Sequence, residues 1–211
     1  MKSVELIECI RRNDPFLKNV NFAHKSLTSS QVHSLSKALK VNTVLQVLDL
    51  RYNNLGNCPV SLKFLSEALK DNGTLQVLRL GSNNLGNCPE SMKCLSEALK
   101  VNKTLQRLDL GLNNLGNCLE IMDSLSEALK VNETLQELYL YGNNLVNCPE
   151  GMDFLSEALK VNKSLQVVNL HWNNLDNTVL RELTDHIERN KHNNLLKRSC
   201  LFGLLLSTIE K

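Results

Sequence analysis

Aromatic side chains are scarce in this chain: one Trp, three Tyr and five Phe among 211 residues, 4% in all. Large rings therefore cannot build the interior, and leucine must supply it. Charge of either sign is not in excess. Twenty-four Lys and Arg against 22 Asp and Glu leave a net +2, which gives no electrostatic footprint for a nucleic acid or another polyanion. The apolar run Leu201-Phe-Gly-Leu-Leu-Leu206 is far shorter than the ~20 residues that span a bilayer. The first residues, Met-Lys-Ser-Val-Glu-Leu-Ile-Glu, are broken by acids and lack the apolar core of a signal peptide. No CxxC pair accompanies the seven cysteines, so a zinc site is not indicated. Their odd total points to a reducing compartment. No glycine-rich phosphate loop follows a strand, and five scattered histidines form no recurring nucleophile–base–acid set. Catalytic residues, metal ligands and cofactors are accordingly not expected.

What the chain has is repetition. Leu45-Gln-Val-Leu48-Asp-Leu50-Arg-Tyr-Asn53-Asn-Leu55 returns almost unchanged at Leu75, Leu105, Leu135 and Leu165, every 30 residues. Fixed periods of 20–50 residues signal stacked solenoids. Within a unit, Leu75, Leu78 and Leu80 show the period-two pattern of a short strand with one buried face. Gly86-Asn-Cys-Pro89 then marks a turn. Met92, Leu95, Ala98 and Leu99 follow at helical spacing, and Asn102 stands where a helix ends, a place for a left-handed C′ residue. Parallel strands stack about 4.8 Å apart, whereas helices need about 8–10 Å. The expected fold is thus α/β: a right-handed solenoid, curved like a horseshoe, with a concave parallel sheet and convex helices.

The pattern LxxLxLxxNxL at 45–55, 75–85, 105–115, 135–145 and 165–175 resembles the leucine-rich repeat. The LSEALK helices at 65–70, 95–100, 125–130 and 155–160 are similar to those of the ribonuclease-inhibitor-like subfamily, which includes NOD-like receptor repeats. The likeness covers residues 17–192 as six repeats starting near 17, 45, 75, 105, 135 and 165. That subfamily usually runs about 28 residues per unit, and the two extra residues here fall in the Gly-Asn-Cys-Pro turn, which predicts a longer corner. Residues 1–16, with Val4, Leu6, Ile7 and Ile10 at helical spacing, read as a capping helix. The first repeat is degenerate, with Lys25 at the Asn position. A more charged last helix runs from about Thr178 to Asn190, and 193–211 reads as a C-terminal cap or failed seventh repeat. Solenoids need such caps.

Two columns recur inside the units. Asn53, Asn83, Asn113, Asn143 and Asn173 are expected to form a structural ladder, since a buried amide can both donate and accept where the chain leaves the sheet. Cys58, Cys88, Cys118 and Cys148 read as small apolar fillers; equivalent parallel positions seldom meet the 4.4–6.8 Å Cα spacing of a disulfide. The acceptor pattern at Asn72, Asn102, Asn132 and Asn162 recurs with the turn and is taken as accidental in the absence of a signal peptide. Lys63, Glu67 and Lys70 repeat as a solvated face with weak pairs along the helix.

The strand positions facing the hollow vary while the core does not. They carry Asp49, Arg51, Tyr52, Arg79, Arg107, Asp109, Leu112, Glu137, Tyr139, Tyr141, Asn169, His171 and Trp172. Every Tyr and the single Trp belong to this set, and Tyr, Trp and Arg are enriched in interface hot spots. The expectation is a non-enzymatic module, probed at its concave face by a protein ligand, monomeric, and binding neither nucleic acid nor membrane. Gly81, Gly111 and Gly142 are expected to leave part of the middle flat. The resemblance implies intracellular work in the cytoplasm, as an endogenous regulator of NOD-like-receptor type or as a bacterial effector in a host cell. Rival readings are a small-GTPase regulator of the Ran GTPase-activating type, which shares this repeat, and a spacer or fragment of a larger receptor.

Overall fold

The structure, a computed structural model, describes residues 2–192. The expected cap at 193–211, with Cys200 and the run to Leu206, lies outside the described residues. An N-terminal helix α1 (Ser3–Arg11) precedes six strand–helix units: β1 (Asn19–Asn21), α2 (Ser29–Val41), β2 (Val47–Asp49), α3 (Pro59–Asp71), β3 (Val77–Arg79), α4 (Pro89–Val101), β4 (Arg107–Asp109), α5 (Leu119–Val131), β5 (Glu137–Tyr139), α6 (Pro149–Val161) and β6 (Val167–Asn169). A last helix, α7, occupies residues 177–192. The strands form one sheet in sequential order, and every pair is parallel with equivalent residues in register, Leu48 beside Leu78 and Leu78 beside Leu108.

Leucine fills the interior between sheet and helices. Leu45, Leu48, Leu50 and their equivalents in the next three units are buried against Leu62, Leu65, Leu69 and the corresponding helix residues. Each such side chain contributes roughly 1.5–3 kcal/mol on leaving water. The helices begin where the local chemistry favours it: Thr28 and Gln31 form a reciprocal capping box on α2, and Pro59, Pro89 and Pro149 open α3, α4 and α6, where a missing N–H is harmless. On their outer face Glu67–Lys70, Glu97–Lys100 and Glu157–Lys160 pair three residues apart. Such exposed pairs contribute little stability. Ile7 and Ile10 of α1 are buried over the first repeat, while Val4 is exposed.

The Asn ladder is present and continuous. The Asn113 amide donates to Leu80 O, Leu110 O and Gly111 O at 3.1, 2.9 and 3.2 Å, and its Oδ1 accepts from Asn83 N and Leu85 N at 2.8 and 3.2 Å. The same links join Asn53 to Asn83, Asn113 to Asn143 and Asn143 to Asn173.

A second ladder corrects one expectation. Asn102 does not take a left-handed C′ conformation: its φ and ψ are −65° and 133°. It is buried, donates to Leu69 O at 2.7 Å and accepts from Leu105 N at 2.8 Å. It thereby serves a C-terminal carbonyl of the preceding helix, a group that has no partner within its own helix. Asn42, Asn72, Asn132 and Asn162 make the same 2.7 Å bond to Ile10 O, Leu39 O, Leu99 O and Leu129 O. The glycosylation pattern is therefore this ladder plus Thr104 or Thr134, whose hydroxyls reach Asn72 O and Asn102 O at 3.3 Å. An amide used and buried in this way cannot carry a glycan in the folded chain. Through Asn42 the cap α1 is tied in by the same device. At the other end Arg189 Nη2 takes Leu159 O at 2.9 Å.

The longer corner forms a single turn of 3-10 helix at Leu55–Asn57, Leu85–Asn87, Leu115–Asn117 and Leu145–Asn147. A Cβ on Gly86 would meet Asn114 O of the next corner at 2.4 Å, so side chains are excluded there. Val146 replaces glycine in the last of these corners and is exposed, because the following unit has no such turn to press against it. The six cysteines among the described residues are free; Cys88 and Cys148 are buried, and Cys88 Sγ donates to Gly56 O at 2.8 Å.

Replacing Asn113 by Leu leaves two buried N–H groups without a partner and removes one bond from each of three carbonyls, at a cost of about 1–3 kcal/mol. Urea denaturation should show a lower midpoint with an unchanged slope.

Candidate functional site

The strand face carries a hollow with a volume of about 630 Å³. All three tyrosines and the single tryptophan of the chain line it. The path from sequence to this convergence runs through the backbone. In every unit the eighth residue is left-handed, with φ of 57° at His24, 58° at Tyr52, 56° at Ser82, 57° at Leu112, 63° at Gly142 and 60° at Trp172. Its N–H bonds across to the next unit, as Tyr52 N does to Gly81 O at 3.1 Å and Leu112 N to Tyr141 O at 2.8 Å. The conformation swings the chain off the sheet and throws the eighth side chain out over the strand face. Left-handed backbone costs a non-glycine residue roughly 1–2 kcal/mol. Glycine would be unstrained at all six positions, yet Tyr52, Leu112 and Trp172 hold three of them.

The rings are organised among themselves. Tyr141 and Trp172 meet edge to face, 5.9 Å between centroids at 84°. Tyr52 stacks on His24 at 4.1 Å and 11°. His24 was not among the residues expected on this face; its register, 28 residues before Tyr52, is the signal that marks it. Gly111 has a reason of its own. A Cβ there would lie 2.3 Å from Cζ of Tyr141, so the glycine is the seat of the Tyr141 ring. Far from leaving the middle flat, it lets an aromatic lie across it. Trp172 is 76% exposed, Tyr141 and Tyr139 are half-buried, and His171 is exposed.

The charged strip divides into parts. Asp49 accepts from Arg51 Nη2 at 2.7 Å and lies 3.7 Å from Arg79. It is only 3% exposed, so the expectation of Asp49 as a contact residue is corrected: burial beneath two arginines makes it their support. Arg107 pairs with Glu137 at 2.6 Å, Tyr139 donates to Glu137 at 2.8 Å, and the Arg107 guanidinium stands 6.0 Å over the Tyr139 ring. Asp49, Arg51 and Glu137 stand outside the hollow. Arg79, Arg107, Asp109, Leu112, Asn169 and His171 line it together with the four aromatics. Asp109 is 8% exposed, and burial pushes its carboxyl above the usual range. For Asp49 the arginine bonds outweigh burial and hold the carboxyl low. Arg107 raises no such conflict, since Glu137 keeps it charged.

Among the described residues no three His, Cys, Asp or Glu side chains stand close enough to hold a metal ion, and no helix is long and apolar enough to cross a membrane. What the arrangement can do is present a rigid, aromatic-walled, open surface.

Comparison with known proteins agrees with this architecture. The family model described as leucine-rich repeat matches residues 41–57 and 101–117. No curated protein matches the sequence significantly. Among solved structures, actin-binding site 2 of leiomodin-1 is similar at a TM-score of 0.61 and 20% identity, over 95% of this chain and 96% of that one. The C-terminal domain of tropomodulin from Caenorhabditis elegans is similar at 0.57 and 16%, over 94% and 98%. At these identities the likeness is one of fold.

Two outcomes follow from the site's packing. Gly111→Ala should displace the Tyr141 ring and shift the emission of Trp172, the chain's only indole, while far-ultraviolet circular dichroism stays unchanged. Asp109→Asn should raise the melting temperature at pH 7. The folded-state carboxyl is raised, so the wild-type chain is penalised above its pKa and not below the unfolded value of about 3.9. The gain should therefore vanish near pH 3.

Proposed function

We propose, on the premise that this chain is a leucine-rich repeat protein, that it is a non-enzymatic module whose concave hollow binds a protein partner. One observation carries the reading: all four Tyr and Trp side chains of an aromatic-poor chain meet in one hollow, two of them held there on left-handed backbone where glycine would be easier. Backbone strain of this kind clusters at functional sites. Aromatic anchors of this kind dominate interface energetics. The ladders keep the surface preformed, so little ordering entropy is lost on association.

The fold supports a protein ligand, since a solved structure of the same architecture is named as an actin-binding site. Nothing in the hollow singles out actin for this chain. Work inside cells, as an endogenous regulator or as an effector, is the finer part of the proposal. The likeness of the LSEALK helices to the ribonuclease-inhibitor-like repeats supports it, as do the free cysteines.

Affinity capture with the wild-type chain, repeated with the Trp172→Ala, Tyr141→Ala double variant, is the test. Losing two central anchors should cost at least about 2 kcal/mol, roughly thirtyfold in affinity. Undiminished recovery of the same partner refutes the reading.

A further inference from the structure

The fifth strand position holds the same local device in four units. An oxygen of Asn21, Asp49, Asp109 or Asn169 accepts the backbone N–H two residues on, at 2.7, 3.1, 2.9 and 3.1 Å. Two of these residues are amides and two are acids, so the device requires an acceptor oxygen and not a charge. At Asp49 the charge has its own use, because Arg51 and Arg79 answer it. At Asp109 no direct ion pair forms, and Arg51 and Arg79 act on the carboxylate only from a distance. Among the described residues no cation lies within 4.0 Å of the Asp109 carboxylate, and the bond from Gly111 N is the one hydrogen bond it receives. Arg79 is its direct neighbour in register but approaches Asp49. Arg107 is taken by Glu137.

This carboxylate is more than nine-tenths buried and forms part of the wall of the hollow. Gly81 borders it, and a Cβ there would be in ordinary contact with the two oxygens, at 3.4 Å and 3.5 Å. A buried charge without a partner is costly to retain, whereas Arg79, a third exposed, keeps its charge in water at little cost. Among the described residues, Asp109 is therefore the charged side chain in the wall of the hollow that lacks a direct ion-pair partner.

We propose that the hollow receives an arginine of the protein partner. Its guanidinium would meet the Asp109 carboxylate and lie against the rings of Tyr52, Tyr141 and Trp172. A flat, weakly hydrated cation suits a carboxylate set among aromatic faces, and the chain already makes this kind of contact where Arg107 stands over Tyr139. The inference rests on the hollow being the partner-binding surface and adds the chemistry of what enters it.

A random peptide library displayed on phage and selected on the full chain tests it, with affinities of recovered peptides read from the fluorescence anisotropy of a dye-labelled peptide. Recovered peptides should share one arginine. Asp109→Asn, which keeps the acceptor oxygen that Asn21 and Asn169 supply in the same role, should weaken them by about tenfold or more. Replacing the shared arginine by glutamine should cause a similar loss in the wild-type chain, and the two losses should not add, because they remove one interaction. Peptides that share an acidic or apolar residue, or that bind Asp109→Asn undiminished, overturn the arginine and leave the hollow as a protein site. Peptides indifferent to Trp172→Ala, Tyr141→Ala, or no peptides at all, overturn the hollow together with its arginine.

Discussion

Where each strand ends, the backbone turns away from its neighbours, and its N–H and C=O groups would be buried without partners. One side-chain amide per repeat resolves this. Asn83 serves carbonyls of its own and the preceding unit while its oxygen receives N–H groups of the preceding unit. The ladder Asn sits between two left-handed residues, Ser82 and Asn84 in that unit, and so fixes the sharpest bend in the chain. The residue before it is thereby held over the strand face in each unit that has the ladder Asn. A hydrogen-bonding requirement of the interior thus sets the position of the most exposed side chains of the surface.

The second amide ladder does the same at the other end of the helix. Asn72, Asn102, Asn132 and Asn162 link each helix C-terminus to the start of the next strand. With both corners locked from the second unit onward, the sheet becomes a scaffold on which strand-face side chains vary from unit to unit. Each substituted position on the strand face is decided by its neighbours alone: glycine at 111 because Tyr141 lies on it, leucine at 112 beside glycine at 142.

Charge on that face is mostly internal. Asp49 with Arg51 and Arg79, and Glu137 with Arg107 and Tyr139, answer one another, which leaves Asp109 as the carboxylate in the wall of the hollow with no direct ion pair. Contact pairs of this kind hold long side chains in one geometry and give the hollow its walls.

The repeat made the architecture legible from residues alone. The 30-residue phase of Leu45, Leu48, Leu50 and Asn53 dictated strands, helices, their parallel stacking and the first ladder, because each of these depends on local periodicity and on one requirement repeated. The convergence of Tyr52, Tyr139, Tyr141 and Trp172 on one face could also be read, since it follows from register. The role of Asn102, the burial of Asp49 and the seating of Tyr141 on Gly111 could not. Each depends on an atom supplied by a neighbouring unit: a carbonyl of Leu69, the guanidinium of Arg79, a ring 30 residues away. Local pattern fixes which way a side chain points. Only the stacking of one unit on the next decides what it meets there, and hence whether its charge is answered or left over.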